Sequence, residues 1–237
     1  ELIVFDKNKS ALKTEAGDNT GDLRSTVFAS NEMFDLAKER GIKYFFNMCD
    51  DYTAFYHNFT KNDINNDYKW QKTRVKSLDK IINVMLKFYK KTSITTLAMA
   101  QGGDFIGGEA GNNSDIKLLR KAMNTFLCST ERPFKFIGRL NEDVTTYVNL
   151  GSKGKLFCTT TNLCLIQQMH QAKSGGMTEV HVDNGTYVKS FMSVMYNPSC
   201  IKVSVLGNKN KRIHHKVRWN NTAPKIISEK HRQNGTK

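Results

Sequence analysis

Two aspartates follow directly after an apolar run near the start of the chain. The run covers residues 44–49 (YFFNMC), and the acids are Asp50 and Asp51. A strand that is apolar on both faces is typical of the middle of an α/β sheet that helices cover on each side. Ligands of such sheets bind beyond the carboxyl ends of the strands, where carboxylates could hold a divalent metal and its phosphates. A turn that uses Asp for its backbone hydrogen bonds explains the pair equally well.

A second pair of acids, Glu142 and Asp143, ends the segment 138–143 (GRLNED). The segment follows an expected strand at 134–137 and precedes apolar residues at helical spacing. An acid at a strand-to-helix junction can be a helix N-cap, and that explanation is strong for Asp143 alone. Two adjacent acids after an Arg and an Asn exceed what a cap requires. A carboxylate here could act as a general base toward a substrate hydroxyl.

Two adjacent histidines, His214 and His215, stand late in the chain in the segment 212–215 (RIHH). On an extended segment their side chains are expected to point to opposite sides. One could then face a metal while the other faces solvent or an acceptor. The alternative is a pair of surface histidines in a basic stretch.

A polar segment at 167–177 (QQMHQAKSGGM) could contact a nucleic acid. Gln168 and Gln171 could bond base edges, and Lys173 could meet a phosphate. Gly175 and Gly176 would allow close approach of a ligand to the backbone, or act as a hinge. A long hairpin loop is the alternative.

Hydrophobic periodicity predicts the elements that position these residues. Helices are expected near 26–40, 75–89 and 187–195. Strands are expected at 2–5, 44–49, 94–100, 123–127, 134–137 and 201–206, with a hairpin formed by 156–160 and 163–166. Residues 6–21 are expected to be a polar loop and 58–71 a polar surface excursion. The helix-to-strand step at 26–49 is of the kind that builds parallel sheets. We predict one domain, 1–237, with a basic C-terminal segment at 208–237.

The chain is strongly basic. Its 237 residues include 36 Lys and Arg against 22 Asp and Glu, a net charge of +14. This charge favours a polyanionic partner, and the crowding of basic residues toward the C-terminus favours nucleic acid over a merely basic surface. No membrane-length apolar stretch or signal peptide is expected. The five cysteines form no CxxC pair, so we expect reduced, mostly buried thiols in a cytosolic protein.

Four blocks of the sequence resemble the TET-associated glycosyltransferases of bacteriophages. These blocks are 136–144 (FIGRLNEDV), 175–179 (GGMTE), 185–191 (GTYVKSF) and 212–215 (RIHH), and the resemblance runs from about residue 21 to about residue 230. It implies a GT-A-like (Rossmann-like) α/β fold with a mixed, mostly parallel sheet flanked by helices. The family strand that cradles the nucleotide base is expected upstream of Leu2.

The resemblance also implies an activity and its partners. The protein would move a sugar from a nucleotide-sugar, with a UDP-sugar as the expected donor, to the hydroxyl of a 5-hydroxymethylpyrimidine in DNA. The expected acceptor is 5-hydroxymethylcytosine, made by a companion base hydroxylase in the cytoplasm of an infected bacterial host. The rival functions are a metal-dependent nuclease, which would use similar acids on a basic surface, and a non-catalytic DNA-binding module.

The roles of individual residues follow from the same resemblance. Asp51 is the preferred ligand of Mn²⁺ or Mg²⁺ on the donor diphosphate, Asp50 a ligand or a contact to ribose or water, and His215 or His214 a late metal ligand. Cys49 stands where many relatives have a first Asp. Asp143, or second to it Glu142, matches the catalytic base. Donor contacts are expected at Arg24, Asp50 and Asp104, and acceptor contacts at Arg139, Asn141, Gln168, Gln171, Lys173, Gly175, Gly176 and Arg212.

Overall fold

A computed structural model describes residues 1–62, 68–101, 116–123, 125–167, 177–185, 187–207 and 211–222. The helices in these ranges are α1 (Lys7–Leu12), α2 (Val27–Glu39), α3 (Leu78–Lys91), α4 (Glu142–Ser152), α5 (Met177–Asn184) and α6 (Val188–Tyr196). The strands are β1 (Tyr44–Met48), β2 (Tyr52–Asn62), β3 (Tyr68–Arg74), β4 (Thr96–Ala100), β5 (Ile116–Lys117), β6 (Thr125–Ser129), β7 (Phe157–Gln167), β8 (Ile201–Leu206) and β9 (Arg212–Val217).

The main sheet is mixed, and most of its strand pairs are antiparallel. Its order is β1-β6-β4-β7-β2-β3, with β5 also paired to β7, while β8 and β9 form a separate ribbon. Among the described strands, only β4 and β7 pair in parallel. The prediction of a mixed α/β fold is confirmed, and the prediction of a mostly parallel, Rossmann-like sheet is wrong. The strand at 44–48 also lies at one end of this order rather than in its middle.

The long strand β7 explains much of this difference. The predicted hairpin at 156–166 is instead one continuous strand, whose first half pairs with β4 and β5 and whose second half pairs with β2. The polar excursion predicted at 58–71 lies largely in the paired strands β2 and β3. Hydrophobic pattern indicates apolar strands, but it misses polar ones and does not reveal which neighbour a strand takes.

Helices cover both faces of the sheet, as the two-sided apolar strands predicted. Along β6, Phe126 and Cys128 join the cluster that includes residues of α2 and α4, whereas Leu127 joins the cluster that includes residues of α3. Aromatic rings fill the first cluster, and Phe126 and Phe136 make an edge contact with ring centroids 5.1 Å apart. Every residue of strands β4 and β6 is buried.

Strand direction gathers polar residues at one edge of the sheet. Strands β1, β4 and β7 run in the same direction, because β1 and β4 are each antiparallel to β6 and β4 is parallel to β7. Their carboxyl ends carry Asp50 and Asp51 after β1, Gln101 after β4, and Gln167 at the end of β7. These polar residues therefore share one edge of a sheet whose pairing is mainly antiparallel.

The residues before α2 differ from the prediction. Residues 2–5 are not a strand, and the side chains of Leu2 and Val4 are 91% and 85% exposed. The predicted polar loop instead contains α1, because the Asp6 carboxylate accepts hydrogen bonds from the backbone N–H groups of Asn8 and Lys9 at 2.9 and 3.3 Å. Such an N-cap stabilises the first turn of a helix without any apolar periodicity.

The segment 134–137 is extended but does not join the sheet. The buried amide of Asn31 takes the place of a neighbouring strand: its Nδ2 donates to the Phe136 carbonyl at 2.9 Å, and its Oδ1 accepts from the Phe136 N–H at 2.7 Å. The buried backbone is thereby satisfied by a side chain from α2, which the sequence pattern could not indicate.

Candidate active site

Two carboxylates, Glu142 and Asp143, begin helix α4. The residue before them, Asn141, occupies the N-cap, so Asp143 is not the cap. Asn141 has φ 59° and ψ 37°, and it is the only described residue other than glycine with a positive φ. Asn tolerates this left-handed conformation better than most residues. The sharp turn ends the bend at residues 139–141 and starts the helix with both acids in its first turn.

Contacts from α6 and β9 hold Asn141 in place. Its Nδ2 donates to the Ser193 hydroxyl at 2.7 Å and lies 3.4 Å from His215 Nδ1. Ser193 also bonds the Thr145 hydroxyl at 3.1 Å, which ties α6 to the first turn of α4. A backbone conformation of this kind persists where the surrounding contacts fix it.

Asp51 lies at the same sheet edge as the helix start. Its Oδ2 accepts a hydrogen bond from Gln167 Nε2 at 2.7 Å. Its Oδ1 is buried and has no hydrogen-bond partner in the described part of the chain. Asp50 is exposed. The two acids link β1 to β2, so they do form a connection between strands, but the unpartnered oxygen of Asp51 exceeds what a turn needs.

The Cys49 thiol lies within electrostatic reach of the carboxylates of Asp51, Glu142 and Asp143. Burial, and then the negative charges of Asp51, Glu142 and Asp143, raise the pKa of Cys49 to about 12. The acids from the β1–β2 connection and from α4 therefore lie within electrostatic reach of one position, although they are about 90 residues apart in the sequence.

The acid pair itself has shifted protonation equilibria. Burial, and then the neighbouring Asp143 carboxyl, raise the pKa of Glu142 to about 7, although a hydrogen bond from the Thr26 hydroxyl opposes the shift. Burial also raises the pKa of Asp143. Two influences oppose this rise: the Val144 N–H, which donates to Asp143 Oδ1 at 2.7 Å, and the positive charges of Lys189 and Lys121. Carboxyls that exchange protons nearer to neutral pH are suited to acid–base catalysis.

The two histidines of β9 contact each other. Their ring centroids are 4.2 Å apart, so the prediction that they point to opposite sides of the strand is wrong. Burial, and then His214 and Lys189, lower the pKa of His215 to about 4, and burial with Arg212, Lys189 and Lys121 lowers the pKa of His214. Both rings are mainly neutral at pH 7, which leaves each with a nitrogen lone pair.

An ion-pair network fixes the residues before the acid pair. Arg139 is 3% exposed, and its guanidinium pairs with Asp18 at 2.9 Å and with Asp22 at 3.1 Å. Arg24 pairs with Asp22 at 2.9 Å and with Asp183 of α5 at 2.6 Å. The Arg24 guanidinium is the main cause that lowers the pKa of Asp22 to about 2. Carboxylates therefore pair with both arginines. The predicted contacts of Arg139 with the acceptor and of Arg24 with the donor stay predictions.

A cavity of about 540 Å³ lies beside this network. Its walls come from the loop after α1, from Phe28 of α2, and from Met195 and Tyr196 of α6. Asp22 lines it, whereas Asp51, Glu142 and Asp143 do not. The carboxylate cluster at the sheet edge is thus separate from this cavity.

Comparison with known families adds an independent observation. A family model described as TET-Associated Glycosyltransferase matches residues 1–176. The chain belongs to this family. The match includes Arg24, Asp51 and both acids of α4, and it ends before α5, α6 and the β9 histidines. No curated protein and no solved structure matches the chain.

Membership of the TET-associated glycosyltransferase family supports a glycosyltransferase role. The resemblance seen in the sequence is confirmed by this match. In the described residues no helix is long and apolar enough to cross a membrane. The five cysteines are free, and all except the half-buried Cys49 are buried.

The described residues can be tested for fit to a divalent metal. They contain no group of three or more His, Cys, Asp or Glu side chains placed to hold an ion. The buried, unpartnered Oδ1 of Asp51 nevertheless offers one oxygen ligand. Mg²⁺ commonly takes one or two carboxylates and completes its shell with substrate phosphates and water. The site fits that open arrangement rather than a closed protein cage.

Several predicted residues lie outside the described ranges: Asp104, Gln168, Gln171, Lys173, Gly175 and Gly176. Sequence reasoning did not assign site roles to four residues that the structure places around the acids, namely Thr26, Lys121, Gln167 and Lys189. The block 185–191 contains Lys189, so the family resemblance was a signal for that residue. Gln167 begins the polar segment 167–177, whereas Thr26 and Lys121 carry no local pattern that marks them.

We predict that Glu142 makes stability depend on pH. Its folded pKa of about 7 exceeds the unfolded value of 4.5, so the folded state binds the proton more tightly. Its stabilising contribution is full below the unfolded pKa and is lost as pH rises through the folded pKa. Glu142→Gln, which mimics the protonated form, should match the wild-type melting temperature at about pH 4.5 and exceed it at about pH 8.

Melting temperatures across this range, measured by circular dichroism, check the prediction. Glu39→Gln makes the same change at an exposed position at the end of α2 and is the control. Parallel curves for wild type and Glu142→Gln would contradict it.

Proposed function

We propose that the protein transfers a sugar from a nucleotide-sugar, with a UDP-sugar as the expected donor, to the hydroxyl of a 5-hydroxymethylpyrimidine in DNA. The expected acceptor is 5-hydroxymethylcytosine. One observation carries the proposal: Asp51, Glu142 and Asp143 come from separate elements and all lie within electrostatic reach of Cys49, the residue after β1. Family membership supplies the reaction class, and the net charge of +14 suits a polyanionic acceptor.

Asp143 is the proposed general base. In the transfer step the acceptor hydroxyl oxygen forms a bond to C1 of the sugar, and the hydroxyl proton passes to a carboxylate oxygen of Asp143. The bond from C1 to the diphosphate oxygen breaks, and its electron pair leaves with the diphosphate. The raised pKa of Asp143 makes it a stronger base than an exposed aspartate. Glu142 is the second candidate for the role.

Asp51 is the proposed protein ligand for Mn²⁺ or Mg²⁺, with Asp50, His214 and His215 as further predicted ligands. When bound, such an ion neutralises charge on a departing diphosphate. The neighbouring Gln167 amide orients the Asp51 carboxylate through its 2.7 Å hydrogen bond. Cations near the histidines, Lys121, Lys189 and Arg212, oppose a dication on that side and favour anionic phosphate there.

The acceptor base must leave the DNA stack to reach Asp143. Enzymes that modify a base in a duplex flip the nucleotide or use single strands. Asn141, next to the acid pair, and the exposed Arg212 are predicted acceptor contacts within the described residues. The predicted contacts at Gln168, Gln171, Lys173, Gly175 and Gly176 lie outside those residues, and Arg139 is paired with carboxylates. The amide of Asn141 suits a base edge, and Arg212 suits a phosphate.

Transfer can be tested directly. The protein is incubated with DNA that contains 5-hydroxymethylcytosine, a panel of UDP-sugars and Mn²⁺, and the nucleosides are then analysed by mass spectrometry. A nucleoside heavier by one sugar residue is expected. If the folded protein gives no sugar adduct with any donor, the proposal fails. Strand cleavage in Mg²⁺ without a donor would assign the acids to a nuclease.

We predict that Asp143→Asn lowers the turnover of this reaction by about 100-fold or more, because a general base contributes roughly that much. Donor binding, measured by calorimetry with UDP, should change little. Asp79→Asn, at an exposed position in the first turn of α3, is the matched control. Turnover of Asp143→Asn close to that of the control would remove Asp143 from the base role.

We also predict that the two neighbouring aspartates differ in metal binding. Asp51→Asn should weaken the binding of Mn²⁺ in the presence of UDP by at least about tenfold, because it removes an oxygen ligand from the ion. Asp50→Asn changes an exposed side chain and should have a smaller effect. Electron paramagnetic resonance of free Mn²⁺ measures both. A larger effect of Asp50→Asn would reverse the assignment.

A further inference from the structure

The ribbon formed by β8 and β9 projects from the main body. At one end Ile201 is 1% exposed and packs in the core, together with its cross-strand neighbour Val217. At the other end Val205 and Ile213, which also face each other, are 62% and 45% exposed. One end of the ribbon is therefore anchored and the other end stands in solvent.

Positive charge on this ribbon is not balanced locally. Between Asp183 and Glu229 the sequence contains no acidic residue, while residues 184–228 contain eight Lys and Arg. Five of these cations are exposed on or next to the ribbon, and none has a carboxylate partner in the described part of the chain. We name these five residues the ribbon strip: Lys202, Lys211, Arg212, Lys216 and Arg218.

Two members of the ribbon strip oppose each other directly. Lys202 and Lys216 are cross-strand partners in the β8–β9 register. Like charges directly opposite on a sheet are destabilising, so the folded ribbon pays an electrostatic penalty that a bound polyanion would relieve. Close cation pairs that lack acidic partners are typical of surfaces that bind phosphates.

One end of the ribbon strip lies near the acid pair Glu142 and Asp143. Arg212 is near enough to Lys189 to help lower its pKa, and Lys189 in turn acts on Asp143. His215 of the same strand lies 3.4 Å from the amide of Asn141, the residue before Glu142. A chain of phosphates held along β9 would therefore end beside the acid pair.

We propose that the ribbon strip binds the phosphodiester backbone of the acceptor DNA and directs a nucleotide to Asp143. The proposal rests on the proposed function for the identity of the partner. Strand rise places Lys216 and Arg212 about 14 Å apart, a length over which duplex DNA carries roughly eight phosphate charges. The strip supplies affinity that does not depend on sequence, while the amide of Asn141 meets the base.

Binding to unmodified DNA tests this surface without requiring sugar transfer. Fluorescence anisotropy is measured for the full chain and a labelled duplex at several salt concentrations. Each lost phosphate contact lowers the slope of log K against log salt by about 0.9, so Lys202→Gln with Lys216→Gln should lower it by about 1.8 and weaken binding roughly 60-fold at about 0.1 M salt.

The matched control is Lys87→Gln with Lys91→Gln, which removes two exposed lysines from α3. It should leave affinity and slope close to wild type. Equal losses in the two double variants would overturn the proposal, because they would reflect net charge alone. An unchanged slope in the ribbon variant would overturn it as well.

One charge-reversal variant distinguishes a loss of DNA binding from a loss of folding. Lys202→Glu places an acid opposite Lys216, so its melting temperature should equal or exceed that of wild type while DNA binding falls. Retained DNA binding in this folded variant would overturn the proposal. The proposal would also be overturned if Lys202→Glu weakened binding to phosphatidylserine vesicles but not to DNA, because the strip would then bind a membrane surface. Failure of sugar transfer with these DNA results intact would count against the proposed function only.

Discussion

The burial of the Asp143 carboxyl, beside the half-buried Glu142 at the start of α4, is the constraint on which the rest of the site depends. A buried carboxylate is costly unless hydrogen bonds and opposite charges compensate it. Here the Thr26 hydroxyl and the Val144 N–H each donate to one acid, and Lys121 and Lys189 act on Asp143 from a distance. The compensation is incomplete, and the pKa values of both acids rise as a result.

The elements around the acids serve to hold this arrangement. The left-handed turn at Asn141 points the helix start at the sheet edge, and the buried Arg139 locks the preceding residues to Asp18 and Asp22. Backbone bonds from Gly138 and Arg139 to the carbonyls of Glu15 and Ala16, at 2.8 and 2.6 Å, add to the same clamp. Lys189 of α6 adds a positive charge that acts on Asp143 within this arrangement.

The sequence predicted some parts of this structure well because those parts are local. The helices at 27–39 and 78–91 follow from apolar spacing and from Gly41 and the basic residues at their ends. The roles of Asp51, Glu142 and Asp143 came from the family resemblance, and they stay predictions. Strands β1, β4 and β7 share one direction, so Asp51 and Gln167 lie at one edge of the sheet.

Other parts depend on contacts that no local pattern encodes. The segment at 134–137 is extended, as its residues suggest, but a side chain from Asn31 replaces the strand partner. The contact between His214 and His215 contradicts simple alternation along a strand. Thr26 bonds Glu142, Gln167 bonds Asp51, and Lys121 acts on Asp143. The fold brings these residues to the acids from distant positions in the sequence.

Direct titration of the side-chain carboxyls tests the central claim, that the buried Asp143 and the half-buried Glu142 form a proton-exchanging pair at the proposed active centre. Carbon-13 nuclear magnetic resonance resolves these groups in protein labelled at aspartate and glutamate. We expect one carboxyl signal with a midpoint near pH 7 that disappears in Glu142→Gln, together with a shift of the Asp143 signal. Titration of every carboxyl below about pH 5, the range of exposed acids, would contradict the account.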